Sequence, residues 1–139
     1  MPNAGGLTDR EAAIDAIIRF VCSLDNGESE LCVSAFTEDV VVTLNFCKTD
    51  MHYDPSIRRD DVVDVMMKKV GKPLDTNHST ADICCTVTGN SAELTTCVLA
   101  QPFQGGEGPS PEFQRSYFFG SHYKTTLVRA GELWRVSTL

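Results

Sequence analysis

The chain has 139 residues, 42% hydrophobic and 22% charged, the balance of an ordinary globular domain and not of a disordered or fibrous chain. Its net charge of −7 opposes binding to nucleic acid or an anionic membrane, and no Lys/Arg cluster reverses this locally. No apolar run approaches the ~20 residues that span a bilayer, and MPNAGGLTDREAA lacks the basic and apolar regions of a secretory signal. One domain over residues 1–139 is expected, with residues 1–7 as a flexible tail.

The first element is a helix from Thr8 to Leu24. Thr8 and Glu11 have capping-box spacing, and Ile14, Ile17, Ile18, Val21 and Leu24 make one apolar stripe. Asp25-Asn26-Gly27 ends it, with Gly27 suited to the left-handed C′ position. A short helix follows over Glu28–Phe36, then a turn at Thr37-Glu38-Asp39. The β-branched run Val40–Phe46 reads as a strand.

Residues 47–57 read as a loop. A third helix over Ser56–Val70 places Asp60 and Asp61 early and Lys68 and Lys69 late, as the helix dipole favours. Strands follow over His78–Thr88 and Ala92–Gln101, joined at Gly89-Asn90. After a Gly/Pro-rich loop, Phe113–Arg129 and Leu133–Thr138 complete the β portion. Helices followed by hairpin-linked strands imply an α+β domain whose sheet curls around its helices and encloses an apolar concavity.

Of the six cysteines, five sit in apolar segments, which reads as core thiols in a reducing, cytoplasmic compartment. No C-x-x-C or H-x-x-x-H spacing marks a metal site, and neither metal nor cofactor is expected. The adjacent Cys84 and Cys85 point to opposite strand faces without a basic neighbour, so packing is their expected role.

The stretch FVCSLDNGESELCVSAFTEDVVVTLN resembles the opening of the nuclear-transport-factor-2-like superfamily. Thr76-Asn77-His78 resembles the Thr-x-His of its SnoaL-like and scytalone-dehydratase-like branch. Gly120-Ser121-His122-Tyr123, Leu127-Val128-Arg129 and Gly131-Glu132-Leu133-Trp134-Arg135-Val136 resemble that branch's closing motifs. The resemblance runs from about Thr8 to Val136. It implies a cone-shaped α+β barrel, with a curled, mostly antiparallel mixed sheet wrapped around three N-terminal helices and a deep pocket between them. Members include dehydratases, isomerases and cyclases of polyketides, some epoxide hydrolases, and non-catalytic proteins.

His78 falls on the branch's pocket histidine, an acid/base group whose ordinary titration lies near neutrality. The plain alternative is a strand-start histidine bonded to a loop. Asp25 falls where the branch places the aspartate that orients that histidine, although Asp-Asn-Gly is also ordinary turn chemistry. Two tyrosine positions of the branch fall on Leu24 and Leu44, which argues against the same dehydration. The carboxylate of a ketosteroid-isomerase mechanism would also fall near Leu44. Tyr123, His122 or Tyr53 is the expected replacement donor to a substrate oxygen, with Tyr117 a further candidate. Tyr53, Tyr117, His122, Phe119, Leu44 and Phe103 are expected to line the substrate site. Tyr117, Phe119 and Tyr123 share one strand parity and His122 the other, and which of them faces the pocket stays open. Asp82, four residues past His78, would share its face on a regular strand.

The leading expectation is a cofactor-free enzyme of natural-product tailoring, a lyase or isomerase. It would move protons on a hydrophobic, oxygenated polyketide- or terpenoid-type intermediate by isomerisation, cyclisation or dehydration. An epoxide-type hydrolase and a non-catalytic small-molecule-binding or dimerisation module are the alternatives. A homodimer is expected, because apolar residues of the Phe113–Arg129 strand offer a face for it.

Overall fold

The structure is a computed structural model that describes residues 5–44, 58–106 and 118–139. Helix α1 spans Asp9–Asn26 and α2 spans Ser29–Ala35. Strand β1 is Phe36–Val41, and α3 is Arg59–Met66, extended by a π-helical turn over Met67–Gly71. Strands β2 (Leu74–Thr88), β3 (Ser91–Gln104), β4 (Phe119–Ala130) and β5 (Leu133–Thr138) complete one five-stranded sheet of order β1-β5-β4-β3-β2. Among the described residues only the β1–β5 pair is parallel. This is the α+β class with helices on one face of a curled mixed sheet.

Helix α1 starts with a complete capping box. Thr8 Oγ1 accepts from the Glu11 amide at 3.3 Å, and Glu11 Oε2 accepts from the Thr8 amide at 2.8 Å. Ala12, Ala13, Ala16, Ile17, Phe20, Val21 and Leu24 are buried along one face of the helix. They share the core with Leu94, Val98, Leu127, Trp134 and Val136 from the sheet. The three alanines let the helix backbone approach the sheet closely, while Phe20 meets Phe36 edge-on with ring centroids 5.0 Å apart.

Strand β1 lies earlier than the Val40–Phe46 expected, and Thr37-Glu38-Asp39 belong to it instead of to a turn. The reason is its place at the sheet edge. Phe36 and Val40 point into the core, while Glu38 and Asp39 face solvent, where an edge strand tolerates charge. Residues 45 and 46, with Cys47, Ser56 and the loop between, lie outside the described residues.

Two backbone features set up the concave face. The first is the contact between the end of α1 and the π-helical turn. Gly27 caps α1 at φ +66°, and a Cβ there would lie 2.7 Å from the Gly71 carbonyl oxygen. This close approach delivers the start of β2 to the C-terminal end of α1. The second is a β-bulge in β2 between Ala81 and Cys84, where Asp82 sits at φ +53°. Thr96 Oγ1 donates to the Ala81 carbonyl at 2.7 Å and ties the bulge to β3. The bulge switches the inward parity of β2. Thr76, His78 and Thr80 face the helices before it, and Ile83, Cys85 and Val87 after it. Asp82 therefore does not share the face of His78, as a regular strand would require; it is exposed.

Candidate active site

Asp25 lies in the last turn of α1, where a carboxylate opposes the helix dipole at a cost of about 0.3–1 kcal/mol. That turn carries no basic residue to offset it. The compensation comes from β2. Asp25 Oδ1 accepts from the Thr76 hydroxyl at 2.8 Å and sits 2.6 Å from His78 Nδ1; Oδ2 accepts from the His78 amide at 3.0 Å. Each hydrogen bond to a charged acceptor contributes roughly 1.5–3 kcal/mol, so the three outweigh the dipole penalty.

This network decides the form of the imidazole. An ionised carboxylate only accepts, so the neutral ring keeps its proton on Nδ1 and presents its lone pair on Nε2. Nε2 has no hydrogen-bond partner among the described residues. The His78 side chain is only 7% exposed and that of Asp25 21%, which keeps the pair largely out of water. A positioned, tautomer-fixed imidazole with one unspent nitrogen can take a proton from carbon or oxygen and return it.

Around the pair the sheet supplies a small floor. His78 on β2 pairs with Ala100 on β3, which pairs with Phe119 on β4. Ala100 is buried; Phe119, on the inner face but beyond the cover of the helices, is 52% exposed. Deeper along the same face, Tyr123 packs on Phe20 with ring centroids 6.3 Å apart. Phe20 is five residues from Asp25, about 7.5 Å along the helix axis. Tyr123 therefore lines the inner face without touching the pair. Burial pushes its phenol up to about 12, so it remains a hydrogen-bond donor at every physiological pH.

Register settles the parity left open by the sequence. Tyr123 points to α1, so its neighbour His122 projects from the outer face. His122 is exposed there and meets Cys97, not the proposed pocket. Phe103 is buried but stands outside the central core, and strand alternation places it with Leu99 on the outer side. Leu44 follows the end of β1 and is 37% exposed. Tyr53 and Tyr117 lie outside the described residues. Two open depressions, one on the outer sheet face and one between α2 and α3, include neither Asp25 nor His78. The acid–base geometry, not concavity, marks the site.

Two polar residues were not expected. Thr76 steadies the carboxylate; its signal was alternation, since a residue two before His78 must share its face. Arg19 is buried at 4% exposure among apolar neighbours, bonded to Asp15, Ser34 and the Trp134 carbonyl. The cysteines divide: Cys32 is buried, Cys22, Cys85 and Cys97 are half-buried, and Cys84 is exposed.

Comparison with known proteins agrees with this architecture. Residues 6–139 match the SnoaL-like domain. The chain belongs to the SnoaL-like family. It is 32% identical over 135 residues to terrestric acid biosynthesis cluster protein E of Penicillium crustosum, across 94% of this chain and 80% of that protein. A structure provisionally assigned as a scytalone dehydratase of Novosphingobium aromaticivorans superposes with a TM-score of 0.71 at 21% identity, over 92% of this chain and 78% of that one. A provisionally assigned dehydratase of the nuclear-transport-factor-2-like family from Streptomyces avermitilis gives 0.76 at 14% identity, over 94% and 92%. At these identities the structures establish the fold, which is the one the sequence motifs implied.

Proposed function

We propose that this SnoaL-like chain is a secondary-metabolism tailoring enzyme, a lyase or isomerase that moves a proton next to a carbonyl on a hydrophobic, oxygenated intermediate. The observation that carries the reading is the Asp25–His78 contact of 2.6 Å, which leaves Nε2 without a partner among the described residues on the inner face of the sheet. The relative from the terrestric acid cluster supports placement in natural-product biosynthesis.

In this reading His78 Nε2 removes a proton from the carbon beside the substrate carbonyl. Asp25 holds the ring and stabilises the imidazolium that forms. The same nitrogen then returns the proton to another carbon, giving isomerisation, or to a departing hydroxyl, giving dehydration. Tyr123 donates to an oxygen at the deep end of the substrate, and Ala100 keeps the floor beside His78 low enough for a ring. The base step contributes on the order of 10²–10⁴ in rate.

The test is His78→Ala against wild type, using carbonyl substrates in D₂O and following deuterium exchange at the adjacent carbon. The variant should lose exchange and turnover by at least about 10²-fold while keeping its circular dichroism spectrum and melting temperature. Full exchange in the variant would remove this mechanism. Parallel runs in ¹⁸O-labelled water separate proton transfer from hydrolysis, because only hydrolysis places the isotope in product.

A further inference from the structure

On the outer face of the sheet, opposite the inner face that carries the Asp25–His78 pair, Cys97 of β3 and His122 of β4 are direct cross-strand partners. Cys97 Sγ lies 3.3 Å from His122 Nδ1. We propose that this pair is a thiol modification site that takes up a small carboxylated disulfide of the glutathione type.

The choice of Cys97 rests on a comparison among the chain's own thiols. Cys22, Cys32 and Cys85 are at least partly buried, and burial pushes each thiol up, which suppresses the thiolate. Cys84 is exposed and lines the depression described below, but no imidazole lies in hydrogen-bond range of it among the described residues. Cys97 alone among the described cysteines combines partial access with an imidazole nitrogen in hydrogen-bond range.

The class of ligand follows from what borders the pair. Thr95 and Lys124 stand two residues along β3 and β4 on the same face, and both line an open depression of about 440 Å³ with Cys84, Thr86, Glu93 and Thr126, next to which the Cys97–His122 pair stands. That volume accommodates a tripeptide-sized ligand. The Lys124 ammonium suits a carboxylate, the Glu93 carboxylate suits an ammonium, and the threonine hydroxyls suit peptide groups. A zwitterionic peptide disulfide matches that set; a bare hydrocarbon does not.

The step balances without another reagent. With the ring proton on Nε2, His122 Nδ1 accepts the thiol proton as the Cys97 sulfur attacks one sulfur of the disulfide. A new S–S bond forms as the old one breaks. The departing thiolate takes the proton from the imidazolium and leaves as a thiol. Cys97 is oxidised to a mixed disulfide and half of the reagent is reduced.

Native protein is treated with glutathione disulfide, and the adduct is located by peptide mass spectrometry. One glutathionyl group per chain is expected, on Cys97. His122→Asn should slow the uptake by about 10–100-fold. Lys124→Met should slow uptake of glutathione disulfide but not of the neutral 2-hydroxyethyl disulfide. Circular dichroism checks that each variant folds. First labelling at Cys84, an unchanged rate in His122→Asn, or an unmodified native protein that is labelled only after denaturation would each overturn the assignment.

Discussion

Helix α1 contributes an aspartate to each of two acid–base pairs that differ in what they leave over. At its middle, Asp15 and Arg19 meet at 2.7 Å, and the guanidinium also reaches Ser34 Oγ at 3.0 Å and the Trp134 carbonyl at 2.6 Å. Every face of that group is committed, so it joins α1 to α2 and β5 and has nothing with which to bind a substrate. At the end of the helix, Asp25 is equally saturated, but its partner is an imidazole with two nitrogens, of which the pair uses one. A closed polar network gives rigidity; one left open by a single atom gives chemistry.

Breaking the closed network should produce the largest effect on stability. Arg19→Met keeps the length of the side chain but strands the Ser34 and Trp134 carbonyls and leaves Asp15 without its cation. A loss of about 3–5 kcal/mol is expected, read from urea unfolding midpoints. A loss under about 1 kcal/mol would mean that water replaces the guanidinium freely, and the contrast between the two pairs would fail.

Breaking the open network should do the reverse. Asp25→Asn keeps the shape, yet the amide has one acceptor oxygen for donors that now approach two. The imidazole then loses the group that fixes its proton on Nδ1. Activity should fall by roughly 10²–10⁴-fold, with a stability loss of about 1–3 kcal/mol, below that of Arg19→Met. Nitrogen chemical shifts of the His78 ring give a readout independent of substrate: Nδ1–H in wild type and a tautomer mixture in the variant. An unchanged ring spectrum would show that Asp25 does not set the tautomer.

Half of this contrast was legible in the sequence. The capping box at Thr8 and Glu11, the apolar stripe of α1 and the Gly27 stop are local signals, and local chemistry placed the helix to within two residues. Asp25 and His78 could be paired only through the family resemblance, because residues 53 apart meet through tertiary packing that no periodicity encodes. Arg19 was invisible for the opposite reason. A charged residue beside an apolar stripe reads as solvated, and its burial depends on carbonyls contributed by α2 and β5. The outward turn of His122 required knowing which parity of β4 meets α1, and the exposure of Asp82 required the bulge. A period of two carries no absolute sign, and a single extra residue reverses it.

Tyr123 gives the smallest and most direct test, because it belongs to the same concave face but lies outside both networks. Burial disfavours the phenolate and pushes its phenol from the ordinary value near 10 up to about 12 in the folded chain. Between these two values the unfolded chain has released the proton and the folded chain has not. Deprotonation then favours unfolding, and stability falls as pH rises from about 10 toward 12. A displacement of that size corresponds to about 2–3 kcal/mol. Below pH 10 both states hold the proton and the contribution vanishes. Tyr123→Phe should therefore flatten the alkaline limb of the stability profile and remove the late-titrating step of tyrosinate absorbance, with little change at neutral pH beyond that of the lost hydroxyl. If instead the phenol titrates at its ordinary value, water reaches that part of the inner face. The open network would then lose the dry surroundings that keep its free nitrogen from spending itself on solvent.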